Sequence, residues 1–138
     1  MSDDILALIP LLFGIALLPT VCVPLTRMAA AGEVGRNGAA GIRTRHTQAS
    51  DAAWVAGHAA ALPRVSKTVP VAVGAVIMSV AATLWGGIGW GVTVGMAGFL
   101  TETAVLISAT GAANAAARHA VACATEDPAR HPGAQDRS

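Results

Sequence analysis

The sequence predicts an all-α fold: a three-span transmembrane helical protein with a short cytoplasmic interfacial helix. Three observations predict it. Of 138 residues, 54 % are apolar and only 12 % are charged, about half the ~25 % charge of a soluble domain. Two long stretches are almost free of charge. All nine Lys and Arg lie in the two segments that three spans would place on one side of a membrane. A net charge of +1, no Tyr and 4 % aromatic residues offer neither a basic field nor stacking platforms, so nucleic acid is excluded as a partner.

The first apolar stretch, Ile5 to Thr26, carries no charge and meets the ~20 residues a helix needs to cross the hydrocarbon core. Its flank, Ser2-Asp3-Asp4, is acidic, whereas a secretory leader begins with a basic region. The second stretch, Thr68 to Ala117, carries one charge, Glu102. As one helix it would be about 75 Å long, so it must fold back. Gly86-Gly87-Ile88-Gly89-Trp90-Gly91 is the natural turn. The reading is a span over 1–26, a loop over 27–66, a helical hairpin over 67–117 (spans 67–86 and 91–115) and a largely disordered tail over 118–138.

Arg27, Arg36, Arg43, Arg45, Arg64 and Lys67 fall in the loop; Arg118, Arg130 and Arg137 follow the last span. The positive-inside rule makes their side cytoplasmic. The N-terminus and the glycine turn then face outward, with Trp85 and Trp90 in an outer aromatic belt. Cys22 and Cys123 should be reduced thiols. Neither they nor His46, His58, His119 and His131 have metal-ligand spacing, so no metal and no cofactor are predicted.

Within the loop, residues 28–40 read as a flexible Ala/Gly connector and residues 50–62 as a short helix. Ser50 can cap that helix, Asp51 suits its positive end, and Pro63 should stop it. Trp54 and His58, four apart, share a face, and Trp54 would anchor the helix at the inner interface. Pro10, Pro19 and Pro24 interrupt hydrogen bonding in the first span, either as a packing kink or as a hinge.

Glu102 lies about 16 Å along the helix from Gly91, near mid-membrane. A carboxyl there should be protonated or have a partner. Gly91, Gly95, Gly98 and Glu102, continued by Ala109 and Ala113, form one helical stripe. Small residues favour close helix contact, so Glu102 faces a neighbouring helix, where Ser79 or Thr83 could donate to it. The carboxyl is either a structural hydrogen-bonding group or the titrating group of a small proton-coupled carrier, which with three spans would require a homo-oligomer.

The loop itself is dense in hydrogen-bonding groups. Arg43 and Arg45 beside Thr44 can hold a phosphate or an anionic lipid headgroup, or serve only as inward positive charge. Asn37, then Gly41-Ile42-Arg43-Thr44, then Thr47, Ser50 and Trp54, with His58 after it, resembles the signature of the SdpI family of bacterial membrane proteins, over about residues 36–115. The resemblance implies a short-form, toxin-immunity-type protein of the bacterial cell membrane. Such a protein protects by binding a secreted peptide toxin or a lipid, not by catalysis. The Ala-, Gly- and Arg-rich composition with a single Lys points to a high-GC bacterium. No catalytic motif is present in the sequence.

Overall fold

The computed structural model describes residues 3–38 and 40–126. Four helices account for the described chain, with no strand: α1 Asp3–Ala30, α2 Asp51–Val65, α3 Thr68–Gly86 and α4 Ile88–Glu126. Three stretches are long and apolar enough to cross a membrane: Leu6–Ala30, Asp51–Gly86 and Ile88–Glu126. The chain is therefore a small all-helical multi-span membrane protein. Its outer surface agrees with that: Ile9, Phe13, Leu17 and Val21 on α1 and Val73, Ile77 and Leu84 on α3 are exposed, an apolar exterior suited to lipid.

Helix α4 is the spine of the bundle. At 39 residues it is about 58 Å long, roughly twice the hydrocarbon thickness. Helices α3 and α2 lie end to end along it, antiparallel, and α1 packs beside all three. One face of α4 is buried throughout: Gly91, Gly95, Glu102, Ala109, Ala113 and Ala117. Two apolar clusters fill the contacts. Ile15, Ala72 and Ala75, with Leu11 and Phe99, form one. Ala61, Val65, Ala109 and Ala113, with Cys22 and Leu106, form the other.

The glycine stripe works by removing side chains. A Cβ on Gly98 would sit 2.3 Å from the Ala75 Cβ, and one on Gly95 would sit 2.9 Å from Leu11 and 3.1 Å from the Ser79 hydroxyl. The turn between α3 and α4 is a single residue, Gly87, with φ +88°, a conformation L side chains rarely adopt. Trp85 and Trp90 flank it and are largely exposed.

Several element readings are corrected. Helix α1 does not end at Thr26. It runs to Ala30 and closes on Gly32, whose N–H bonds the Ala29 carbonyl while Glu33 N–H bonds that of Met28, the paired 6→1 and 5→2 pattern of a glycine C-cap. All three prolines lie inside this helix without ending it. Pro63 does not stop α2, which continues to Val65. The carbonyl it leaves free is that of Ala59, and both residues are exposed, so no buried polar group results. The break comes at Ser66–Lys67 instead. Pro70 cannot donate to the Ser66 carbonyl, and Val69 N–H takes it at 3.3 Å. Finally, residues 118–126 are helical rather than disordered tail, since the Ala-rich run from Ala112 strongly favours helix; the rest of the expected tail lies outside the described residues.

Candidate functional site

The loop between α1 and α2 folds onto one end of the bundle, on the side that carries Arg27, Arg64, Lys67 and Arg118. Ser50, extended at φ −155° and ψ 166°, caps α2 by accepting from Ala53 N–H. That cap starts α2 in the register that turns Ala53, Trp54, Gly57, His58, Ala61 and Val65 inward. Trp54 is 1 % exposed and His58 is fully buried. The indole is thus a core residue and not an interfacial anchor, and α2 is clasped between α1 and α4 rather than lying free at the interface.

Around this pair the loop closes. Trp54 Nε1–H donates to the Val34 carbonyl at 2.7 Å. The indole and the imidazole stack at 4.2 Å between centroids, tilted by 43°. Ile42 N–H donates to His58 Nε2 at 2.8 Å. A backbone N–H can only donate, so Nε2 carries a lone pair. His58 Nδ1 then bears the proton, 2.8 Å from the Trp54 carbonyl. Gly41 passes over both rings with φ +118°; a Cβ there would lie 2.8 Å from two carbons of the indole and 2.9 Å from His58 Nε2. Only glycine satisfies both that dihedral and that clearance.

The threonines tie the next turn. Thr47 Oγ1 donates to the Ile42 carbonyl at 2.6 Å and accepts from Thr44 N–H at 3.0 Å. Thr44 Oγ1 donates to Asn114 Oδ1 of α4. Gly57 clears space for this packing: its Cβ would meet the Thr47 methyl at 2.9 Å and the Ala113 carbonyl at 3.2 Å. Arg43 braces the outside. Its Nη1 donates to the Gly38 carbonyl. With the Gln48 amide oxygen facing it, Nε and Nη2 also donate there at 2.9 and 3.0 Å.

Of the motif residues, the structure brings together Gly41, Ile42, Arg43, Thr44, Thr47, Ser50, Trp54 and His58. It leaves Asn37 out: that side chain is exposed and makes no hydrogen bond among the described residues. The connector 28–40 is not a free tether. Met28–Ala30 finish α1, Val34 receives the Trp54 N–H, and Arg36 lies 2.9 Å from the Asp51 carboxylate while donating to the Gln48 carbonyl at 3.2 Å.

Beneath the Gly41–Thr44 turn lies a cavity of about 390 Å³ between α1 and α4. Cys22, Leu25, Val65 and Leu106 line its apolar part. Thr26, Thr110, Thr44 and Arg43 line its polar part.

Glu102 is fully buried on α4, and both carboxyl oxygens lack a hydrogen-bond partner among the described residues. The expected donors are engaged elsewhere. Ser79 Oγ donates to the Gly91 carbonyl at 2.6 Å, and Thr83 Oγ1 to the Ser79 carbonyl at 2.9 Å. The antiparallel register explains this. Ser79 lies opposite Gly91 and Gly95, and Ala75 opposite Gly98. Glu102, one turn further, is therefore level with the small, apolar Ala72. Among the described residues no three His, Cys, Asp or Glu side chains converge.

Four participants escaped the sequence reading: Val34, Gln48, Gly57 and Asn114. Asn114 left a signal, as the one amide side chain in α4. Val34 and Gly57 left none, because a backbone carbonyl and a clearance have no sequence mark, and nothing in the spacing paired the Gln48 amide with Arg43. Comparison with protein-family models, with curated proteins and with solved structures finds no match.

Proposed function

We propose that this membrane protein is an immunity-type protein of the SdpI kind, short form, acting by binding rather than catalysis. It sits in a bacterial cell membrane with its N-terminus outside and the Gly41–Trp54 loop in the cytoplasm. Its ligand is a membrane-active peptide toxin or an anionic lipid. The observation that carries the reading is the rigid loop over a cavity of about 390 Å³. Binding is favoured when the receptor is already ordered, because little conformational entropy remains to be lost. A loop that served only as inward charge would not need such bonding.

The test is protection. A bacterium sensitive to membrane-depolarising peptides is given the wild-type chain or Gly41→Val, and membrane potential is followed after challenge with a peptide panel. The reading requires protection against at least one peptide that Gly41→Val loses while the variant still inserts. Identical depolarisation with and without the wild-type chain across the panel refutes it.

Unpartnered Glu102 favours a second reading, a proton-coupled carrier acting as a homo-oligomer. The two separate on Glu102→Gln. A carrier loses function on this change, whereas a loop-based binding protein keeps it.

A further inference from the structure

We propose that the cavity beneath the Gly41–Thr44 turn is a binding site for an anionic phospholipid of the leaflet at the basic end of the bundle. The phosphate would meet Arg43 and Thr26, and one acyl chain would lie along Leu25, Val65 and Leu106. This deepens the binding reading above and rests on it for the membrane orientation.

The wall is divided by polarity along one direction. Apolar Cys22 and Leu106 lie nearer the middle of their helices; Thr26 and Thr110, one turn on, lie nearer the loop, and Arg43 sits at the rim. Arg27, Arg64 and Lys67 cluster at this same end, where hydrocarbon gives way to headgroups. A ligand that is apolar below and anionic above at that depth is a lipid.

Two donors are unspent. Thr26 is 5 % exposed and lines the cavity, yet its hydroxyl makes no hydrogen bond among the described residues. Other threonines of the spans, such as Thr20 and Thr110, bond back to their own helix. Arg43 uses three of its N–H groups on Gly38 and Gln48, and a guanidinium has five. The remaining two can take a phosphate oxygen.

Among the described residues no acidic side chain lines the cavity, so its wall offers no counter-charge to the ammonium of a zwitterionic headgroup. This selects the anionic class. The volume is at the low end of the ~300–1,000 Å³ of ligand pockets, enough for a headgroup and the top of one chain.

Cys22, on the cavity wall, is a built-in probe. The full chain bearing Cys123→Ser, which removes the exposed second thiol, is purified in nonionic detergent. Alkylation of Cys22 by N-ethylmaleimide is followed by intact mass. Dihexanoyl phosphatidylglycerol should slow alkylation several-fold, while dihexanoyl phosphatidylcholine and inorganic phosphate leave it unchanged. Thr26→Val, whose lost hydroxyl supports no bond among the described residues, should weaken the shielding without lowering the melting temperature.

Equal shielding by phosphatidylcholine overturns the anionic selectivity. Shielding by inorganic phosphate alone overturns the lipid in favour of a free-anion site. No shielding by any of the three overturns the site. If the cell assay shows toxin protection while phosphatidylglycerol shields nothing, the lipid site falls and the immunity reading stands. Shielding that depends on Thr26 in a chain that protects against no peptide leaves the lipid site standing and removes the immunity reading.

Discussion

Replacing Gly41 by Ala tests whether the loop is rigid for the reasons given. Two costs meet at this position. Its φ of +118° is one that an L side chain holds only at about 1–3 kcal/mol. The new Cβ would also press to 2.8 Å on the indole of Trp54 and 2.9 Å on the imidazole of His58, and overpacking a filled site costs about 1–3 kcal/mol. The rings cannot swing aside freely, because Trp54 is tied to Val34 and His58 to Ile42 and to the Trp54 carbonyl. The sum is about 2–6 kcal/mol, a large part of the whole stability of a small domain.

Three other glycines separate the two costs. Gly74 has open space and an ordinary helical backbone, so Gly74→Ala should be neutral or stabilising by up to about 1 kcal/mol. Gly87, at φ +88° with nothing within 4 Å, isolates the backbone cost. Gly98, helical but 2.3 Å from the Ala75 Cβ, isolates the packing cost. Thermal unfolding in detergent would be followed by the fluorescence of buried Trp54, in a background with Trp85→Phe and Trp90→Phe. The expected order of destabilisation is Gly41 first, Gly87 and Gly98 between, and Gly74 last. If Gly41→Ala melts no lower than Gly87→Ala, the rings do not hold the loop and the packing argument fails.

His58 must stay neutral to accept from Ile42, so protonating it removes the bond that ties the loop to α2. Melting temperature should therefore fall with pH between 7.5 and 5, and His58→Gln should abolish that slope. Arg43→Lys loses the forked contact with Gln48 and Gly38 and should cost about 1 kcal/mol. Arg45→Lys, exposed and without a hydrogen bond among the described residues, should stay within ~0.5 kcal/mol, and equal melting of the two would reduce the loop to generic charge. Glu102→Leu should raise stability by about 1–3 kcal/mol, because a buried group without a partner is replaced by an apolar one. Glu102→Lys should fail to assemble, and a lower melting temperature for Glu102→Leu would reveal a partner for the carboxyl.

The helices were legible because the bilayer leaves few choices. Length without charge marks a span, and spacing alone gave the stripe Gly91, Gly95, Gly98, Glu102, Ala109 and Ala113, of which all but the half-buried Gly98 are buried. What misled was local punctuation. Pro63 read as a stop and the three prolines of α1 as a kink or a hinge, yet none ends its helix; Pro10, Pro24 and Pro63 lie on exposed helical faces, where a proline only frees an outward carbonyl, whereas Pro19 is buried. Gly32 and Pro70, which do set an end and a break, carried weaker local signals than their neighbours. Arg36 read as part of a flexible connector because its partners, Asp51 and the Gln48 carbonyl, lie more than ten residues away. Long-range pairing of this kind has no periodicity to reveal it.

The loop's composition pointed to the right region for a reason that then limits what its residues can do. Trp54 N–H, both ring nitrogens of His58 and the Thr47 hydroxyl are all engaged with backbone groups. A ligand could reach them only by displacing a buried hydrogen bond, at the cost of leaving its partner unpaired. They shape the site without touching what enters it. At the cavity and in the buried bundle, free capacity remains at Arg43, at the Thr26 hydroxyl and at the Glu102 carboxyl, and of these only Arg43 belongs to the motif. Changes at Gly41, Trp54 or His58 should therefore lower stability and function together. Thr26→Val should lower binding at unchanged stability. That dissociation, measured on one protein preparation by melting and by Cys22 alkylation, distinguishes a residue that meets the ligand from one that only holds the loop in place.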